Sequence, residues 1–368
     1  MINDSSFSHL LAGGDPLYAL QEPGRTIDLH WGARDGQQKE SLCFQKFYFP
    51  EEKTPSVWGD FPPAATFSLT GKRSFKPREF TEAPPLPLPA AEPPIERADW
   101  NLLCQKAAAS IQCDNAFKLV PARKKTYPLL PQERKAILGA LTHRLFFPKV
   151  ENAYRFLIKS GGSIFFGATP ELLFKRENGE IHVPAIAGTR ALSDGIPESS
   201  LREELLASTK DRLEHDWVVE GIMESLQSLG LNPSHPGDPQ VLRTARLLHL
   251  YTPISAKDQG KLSSEDLLRA LHPTPAIGGQ PKAAALEFLF ENEHWDRGLF
   301  SAPLHFRGGG RELCLVAIRS ALLTSTELHF FAGAGYVKGS TAQSEWLETE
   351  RKIQVMESIL FGDENARK

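Results

Sequence analysis

The sequence predicts an α+β fold. Strand-like segments follow one another without regular strand–helix alternation, amphipathic helical stretches flank them, and Asn178-Gly179 supplies the φ > 0 pair of a tight hairpin turn within the longest strand run. With 368 residues, 41% of them hydrophobic, the chain can bury a substantial core.

Taken in order, SLCFQKFYF (41–49) is rich in aromatics and reads as a strand, and Gly and Pro interrupt residues 50–95. APPLPLPAAEPP (83–94) reads as an extended connector, because proline lacks the N–H that a helix or central strand requires. A polyproline ligand for a partner domain is its alternative reading. Residues 97–113 have a helical pattern, AFKLVPA (116–122) reads as a short strand in which Pro121 removes a ladder N–H, and 132–145 is helical again. YRFLIKS, SIFFGA, ELLFKRENGEIHV and AIAGTRAL then follow as strands. One helix is expected over 199–229, and RTARLLHLYTPISA is strand-like. Helical patterns at 263–271 and 281–292 bracket the turn HPTPAIGGQP. Strands near 299–306, 312–323 and 327–332 precede a final helix.

Charge narrows the function classes. Lys and Arg number 42 against 45 Asp and Glu, a net charge of −3, so no electrostatic footprint for nucleic acid or an anionic membrane exists, and small molecules are the expected ligands. Cys43, Cys104, Cys113 and Cys314 have no Cys-x-x-Cys spacing, which argues against a disulfide framework or zinc ribbon and fits a reducing cytoplasm. MINDSSFSHLLAGGDPLY lacks a basic leader, and no apolar run reaches the roughly 18 residues of a spanning helix, so neither secretion nor membrane insertion is expected.

The candidate chemistry begins in FAGAGYVKGSTAQSEWLETERK (331–352). Glu345, Glu348 and Lys352 fall at i, i+3 and i+7, on one stripe of the final helix, directly after a turn in which Gly333 and Gly335 let backbone N–H groups approach an anion. A solvated helix face with Glu348–Lys352 as an i,i+4 pair is the plainer reading. In KDRLEHDWVVEGIMESL (210–226), Glu214 shares a face with Val218, where a carboxylate is costly unless it is bound to metal or paired, for instance with Lys210 one turn earlier. Glu214, Glu345 and Glu348 together would form an all-oxygen donor set suited to Mg²⁺. None of the 11 histidines forms a zinc-like pair. Lys118, Glu171 and Arg319 each break an apolar or small-residue pattern. Burial would shift a lysine pKa down and a glutamate pKa up, toward base and acid chemistry; an exposed strand face is the alternative for each. For His249 and His272 a hydrogen-bonded core histidine is the plainer reading and a ligand-binding one the alternative.

GATPELL, AIAGTRA, KDRLEHDWVVE, LHPTPAIGGQP, VAIRSA, FAGAGYV and SEWLETERK, in this order and at these intervals, resemble the chorismate-utilising enzymes, and among them the isochorismate synthases, over roughly 97–360. The resemblance implies two facing antiparallel sheets flanked by helices with a Mg²⁺-dependent site between them. It also implies a variable region at 1–95 within the same domain and a catalytic region at 96–368. By position it makes Lys118 the base that activates water toward C2 of chorismate and Glu171 the acid at the C4 hydroxyl. Glu214, Glu345 and Glu348 become metal ligands, with Arg319, Lys352, Gly333 and Gly335 at the enolpyruvyl carboxylate and Gly188, Thr189 and His249 along the pocket. Lysine at 118 and the run Pro273-Thr274-Pro275 favour water over ammonia as nucleophile; salicylate synthase is the second expectation, and a noncatalytic Mg²⁺- or carboxylate-binding homologue the third. No glutaminase partner is implied, the assembly is a monomer or homodimer, and the product would feed menaquinone or siderophore synthesis.

Overall fold

A period of two along the strands sets the architecture. In the strand over residues 154–160, Phe156 and Ile158 join one buried cluster and Leu157 joins another, so both faces of the strand need a covering layer. The computed structural model supplies those layers as helices, sheet, sheet and helices. It describes residues 96–362 except 114, 147–151, 193–194, 245–246, 259 and 261, together with 17–23, 27–31, 41–45, 64–68, 71–75, 86 and 89.

The strands are β1 (Leu17–Gln21), β2 (Ile27–Trp31), β3 (Ser41–Gln45), β4 (Ala64–Ser68), β5 (Gly71–Phe75), β6 (Lys118–Leu119), β7 (Ala122–Pro128), β8 (Tyr154–Ser160), β9 (Ser163–Thr169), β10 (Leu172–Glu177), β11 (Glu180–Ala191), β12 (Gln240–Arg243), β13 (Leu247–Lys257), β14 (Gly279–Gln280), β15 (Pro303–Gly308), β16 (Arg311–Val316), β17 (Ser320–Leu323), β18 (Glu327–Gly333) and β19 (Tyr336–Val337). The helices are α1 (Glu96–Gln112), α2 (Pro131–Phe146), α3 (Glu198–Ala207), α4 (Thr209–Ser228), α5 (Ser264–Leu271), α6 (Lys282–Asn292) and α7 (Ala342–Phe361).

One sheet has the order β5-β2-β1-β8-β9-β17-β18-β7 and the other β12-β13-β11-β10-β16-β15-β3-β4, all pairs antiparallel. Strands before residue 76 thus extend both sheets, β1 beside β8 and β3 beside β15. Phe156, Phe165 and Phe331 of the first sheet meet Leu304 and Leu315 of the second in the central core. Helices α2 and α7 cover the outer face of the first sheet with Leu141, Leu145, Ile353 and Met356, while α4 and α5 cover the second with Val218, Ile222 and Leu267. A third, small sheet, β14-β6-β19, carries Lys118. Among the described residues, no helix is long and apolar enough to cross a membrane.

Several boundaries differ from expectation. The helix expected over 199–229 is two, because Ser208 takes an extended conformation and its hydroxyl caps α4 by accepting from Asp211 N at 3.3 Å. The strand expected over 116–122 breaks at Val120-Pro121: proline cannot donate to a ladder, and its carbonyl accepts instead from Ala334 N at 3.1 Å. The stretch 312–323 divides into β16 and β17, with Arg319 between them in the left-handed region at φ 48°. RTARLLHLYTPISA likewise divides between β12 and β13. Of the aromatic run 41–49, residues 46–49 lie outside the described residues, as does all of the 83–94 connector except 86 and 89.

Candidate active site

Lys118 is placed by backbone contact on both sides of β6, which pairs with β14 through Gly279 and with β19 through Tyr336. Gly279 has φ 138°, and a methyl group added there would stand 2.2 Å from Lys118 O, so glycine alone allows this approach. The Lys118 side chain is fully buried, with Nζ 2.9 Å from Glu214 Oε1. Gly335 lies directly over that pair: a methyl there would meet Glu214 Oε1 at 2.4 Å and Lys118 Cε at 3.3 Å.

Glu171 follows β9 and opens onto a cleft between the sheets. Burial pushes its pKa up to about 7, against the opposing pull of Lys118, a hydrogen bond donated by Thr274 Oγ1 at 3.4 Å, and Arg319 and Lys352. Arg319 is buried on the same cleft, where desolvation lowers its pKa to about 10 while Glu348 and Glu171 pull it back up. Its left-handed backbone is uncommon for a residue with a Cβ, and its carbonyl accepts from Ala168 N at 3.0 Å, which pins the turn.

His249 is held neutral, its pKa lowered to about 3 chiefly by burial and next by Arg319 and Lys352. Its Nδ1 lies 3.3 Å from Gly188 O, which can only accept, and 3.2 Å from Thr189 Oγ1, so Nδ1 carries the proton. Nε2 is then a bare acceptor, buried and without a hydrogen-bond partner. His272, by contrast, is half-buried and does not line the cleft; its Nε2 donates to Ser301 O at 2.8 Å.

Helix α7 begins at a capping box made by Thr341 and Ser344, which sets Glu345 in its first turn. Glu348 pairs with Lys352 at 2.7 Å, and Lys352 Nζ also donates to Gly333 O at 2.8 Å. The N-terminal turns of α4 and α7 meet where Lys210 Nζ stands 3.0 Å from Glu345 Oε1. Lys210 therefore bonds to a distant glutamate, and the i−4 partner considered for Glu214 gives way to Lys118.

Glu171, Gly188, Thr189, Glu214, His249, Arg319, Gly333, Gly335, Glu348 and Lys352 all line the cleft; Lys118 lies behind Glu214, and Glu345 behind Lys210. With these pairs made, the cleft encloses about 70 Å³, room for a few waters. Among the described residues, no three His, Cys, Asp or Glu side chains stand close enough to ligate one ion. The donor chemistry nonetheless suits a hard divalent cation: three carboxylates, each already holding a lysine ammonium, with Lys210 in the field of all three.

Two further elements escape sequence reasoning. Thr274 is one, visible only once its hydroxyl is seen at Glu171. The other is the wholly buried pair Glu293–Arg297. Arg297 donates to Glu293 Oε2 at 2.7 Å and to the carbonyls of Ile277 and Val120, while Glu293 Oε1 accepts from Ala122 N at 2.9 Å. This clamp fixes the chain on either side of Pro121, next to Lys118. Nothing in HWDRG distinguishes a buried arginine from an exposed one.

The facing antiparallel sheets, with a cleft between them lined by carboxylates and cations alike, have the architecture of an enzyme. Residues 70–361 match the family described as chorismate binding enzyme, and the chain belongs to that family. It is 39% identical over 269 residues to the salicylate biosynthesis isochorismate synthase of Pseudomonas aeruginosa, the match covering 72% of this chain and 55% of that protein. Isochorismate synthase EntC of Escherichia coli is 29% identical over 345 residues, covering 89% of this chain and 86% of that one. The chain spans little more than half the length of the first relative. The fold is that of MenF, the menaquinone-specific isochorismate synthase from Escherichia coli, with a TM-score of 0.76 at 22% identity, over 96% of this chain and 91% of that one.

Proposed function

We propose that the protein is an isochorismate synthase, which adds water at C2 of chorismate and expels the C4 hydroxyl. The observation that carries this reading is a buried carboxyl of raised pKa, Glu171, which opens onto the cleft in the field of a buried lysine, Lys118, set behind Glu214. The relatives named as isochorismate synthases support the choice of water as nucleophile.

In this reading Lys118 must first give up the proton that pairs it with Glu214; as the neutral amine its Nζ takes a proton from the attacking water, and Glu171 gives its proton to the departing C4 oxygen, which leaves as water. The proton that Lys118 gains balances the one that Glu171 loses, so the cycle closes with no net proton exchange. Arg319, Lys352 and the backbone at Gly333 and Gly335 receive the enolpyruvyl carboxylate, offsetting the desolvation of a dianion. Bare Nε2 of His249 accepts from a ring hydroxyl, beside Gly188 and Thr189. Glu214, Glu345 and Glu348 would hold Mg²⁺, which supplies positive charge at the ring carboxylate. Water as nucleophile requires no glutaminase subunit, and a cytoplasmic monomer or homodimer suffices. The strands before residue 76 serve as sheet edges of the same domain, with every catalytic group in 96–368.

Incubation of the purified protein with chorismate, with and without Mg²⁺, followed by chromatography, tests the reading. Isochorismate formed only with Mg²⁺ is expected; salicylate and pyruvate, anthranilate on adding ammonia, or no turnover would each overturn it. Because Glu171 must be protonated, kcat/KM should fall as pH rises through about 7. Thr274→Val removes a bond that favours the ionised carboxylate, so that decline should move to higher pH in the profile of kcat/KM. Gly335→Ala forces a methyl against Glu214 and Lys118, and steady-state turnover should drop about 10²-fold.

A further inference from the structure

Lys210 differs from Lys118 and Lys352 in where its ammonium lies. Its side chain is 45% exposed, whereas theirs are 0% and 17%. It stands one turn before Glu214 on α4 and reaches across to Glu345 of α7, a carboxylate only 1% exposed. A carboxylate so placed needs a cation to stay ionised. Glu214 holds Lys118 and Glu348 holds Lys352, so Lys210 is the cation that serves Glu345. Lys118 is sealed from solvent, and Lys352 is tied to Gly333 O, so neither has a comparable route out to water.

We propose that Lys210 is an internal counter-cation, which neutralises Glu345, the most buried of the Glu214–Glu345–Glu348 group, in the free protein and swings into solvent when a divalent ion enters. This rests on the metal role proposed above for those carboxylates. Its consequence is a weakened affinity for the ion before substrate arrives, because the ion binds only the fraction of molecules whose lysine has left. A lysine in place about nine-tenths of the time weakens apparent affinity about tenfold.

The test is titration of Mn²⁺ into wild type and Lys210→Met without chorismate, with free Mn²⁺ followed by electron paramagnetic resonance. Lys210→Met is expected to bind about tenfold more tightly, and Lys210→Gln, which keeps a neutral hydrogen bond to Glu345, to bind more tightly than wild type as well. Unchanged or weaker binding in both variants, including binding by none of the three proteins, overturns the proposal. A structural role for Lys210 would loosen the site, not tighten it. Glu348→Gln, titrated in parallel, separates the two readings: if it binds Mn²⁺ as well as wild type does, the carboxylates are not the ligands, and the metal reading fails independently.

Discussion

Replacing Lys118 by glutamine is expected to slow isochorismate formation by about 10²–10⁴-fold, the usual worth of a positioned general base. Glutamine nearly preserves length and can still donate to Glu214 Oε1, which Lys118 Nζ approaches at 2.9 Å, but it cannot take a proton from water. Because Arg319, Lys352 and His249 are untouched, chorismate should still bind in the presence of Mg²⁺. Product chromatography measures the first effect and titration calorimetry the second. A variant that turns over at the wild-type rate removes Lys118 from the chemistry, and one that neither binds nor turns over makes the lysine part of substrate recognition.

The largest expected effect on stability lies at Glu293. Arg297 is fully buried, and its guanidinium shares Glu293 with Ala122 N while also holding two backbone carbonyls. Glu293→Gln removes the opposing charge and leaves a guanidinium with no route to water. Breaking a buried pair in this way costs about 3–5 kcal/mol, measurable by denaturant unfolding. A change below about 1 kcal/mol would mean that the carbonyls alone satisfy Arg297. Replacing both residues by apolar ones of similar volume should recover much of the loss, since the pair need not be more stable than a hydrophobic core.

What could be read from the sequence follows from how local each signal is. The hairpin at Asn178-Gly179 joins β10 to β11 as its turn chemistry requires, and the stripe of Glu345, Glu348 and Lys352 is a property of helical period alone. Motif order gave the family, and with it the positions that line the cleft. Partner choice was less accessible. Lys210 and Glu214 are four apart on one helix and suggest a pair, yet tertiary packing gives Lys210 to Glu345 and Lys118 to Glu214. The break at Pro121 was foreshadowed by its missing N–H, but the clamp that stabilises the break comes from residues 171 and 177 positions away. Burial of Arg297, and the hydroxyl of Thr274 at Glu171, likewise depend on how distant segments pack, which a strand or helix pattern does not encode.

The three-stranded sheet around Lys118 also has a bearing on biosynthesis of the chain itself. β6 leaves the ribosome early, but β14 and β19, its two hydrogen-bonded neighbours, are translated long afterwards, near residues 279 and 336. A nascent chain can lay down its hairpins as they emerge, yet it has nowhere to dock the lysine until residues 279 and 336 have both been made. A folded site around Lys118 should therefore form only after residue 336 has been made, and products stalled before it should be inert however well their hairpins have formed.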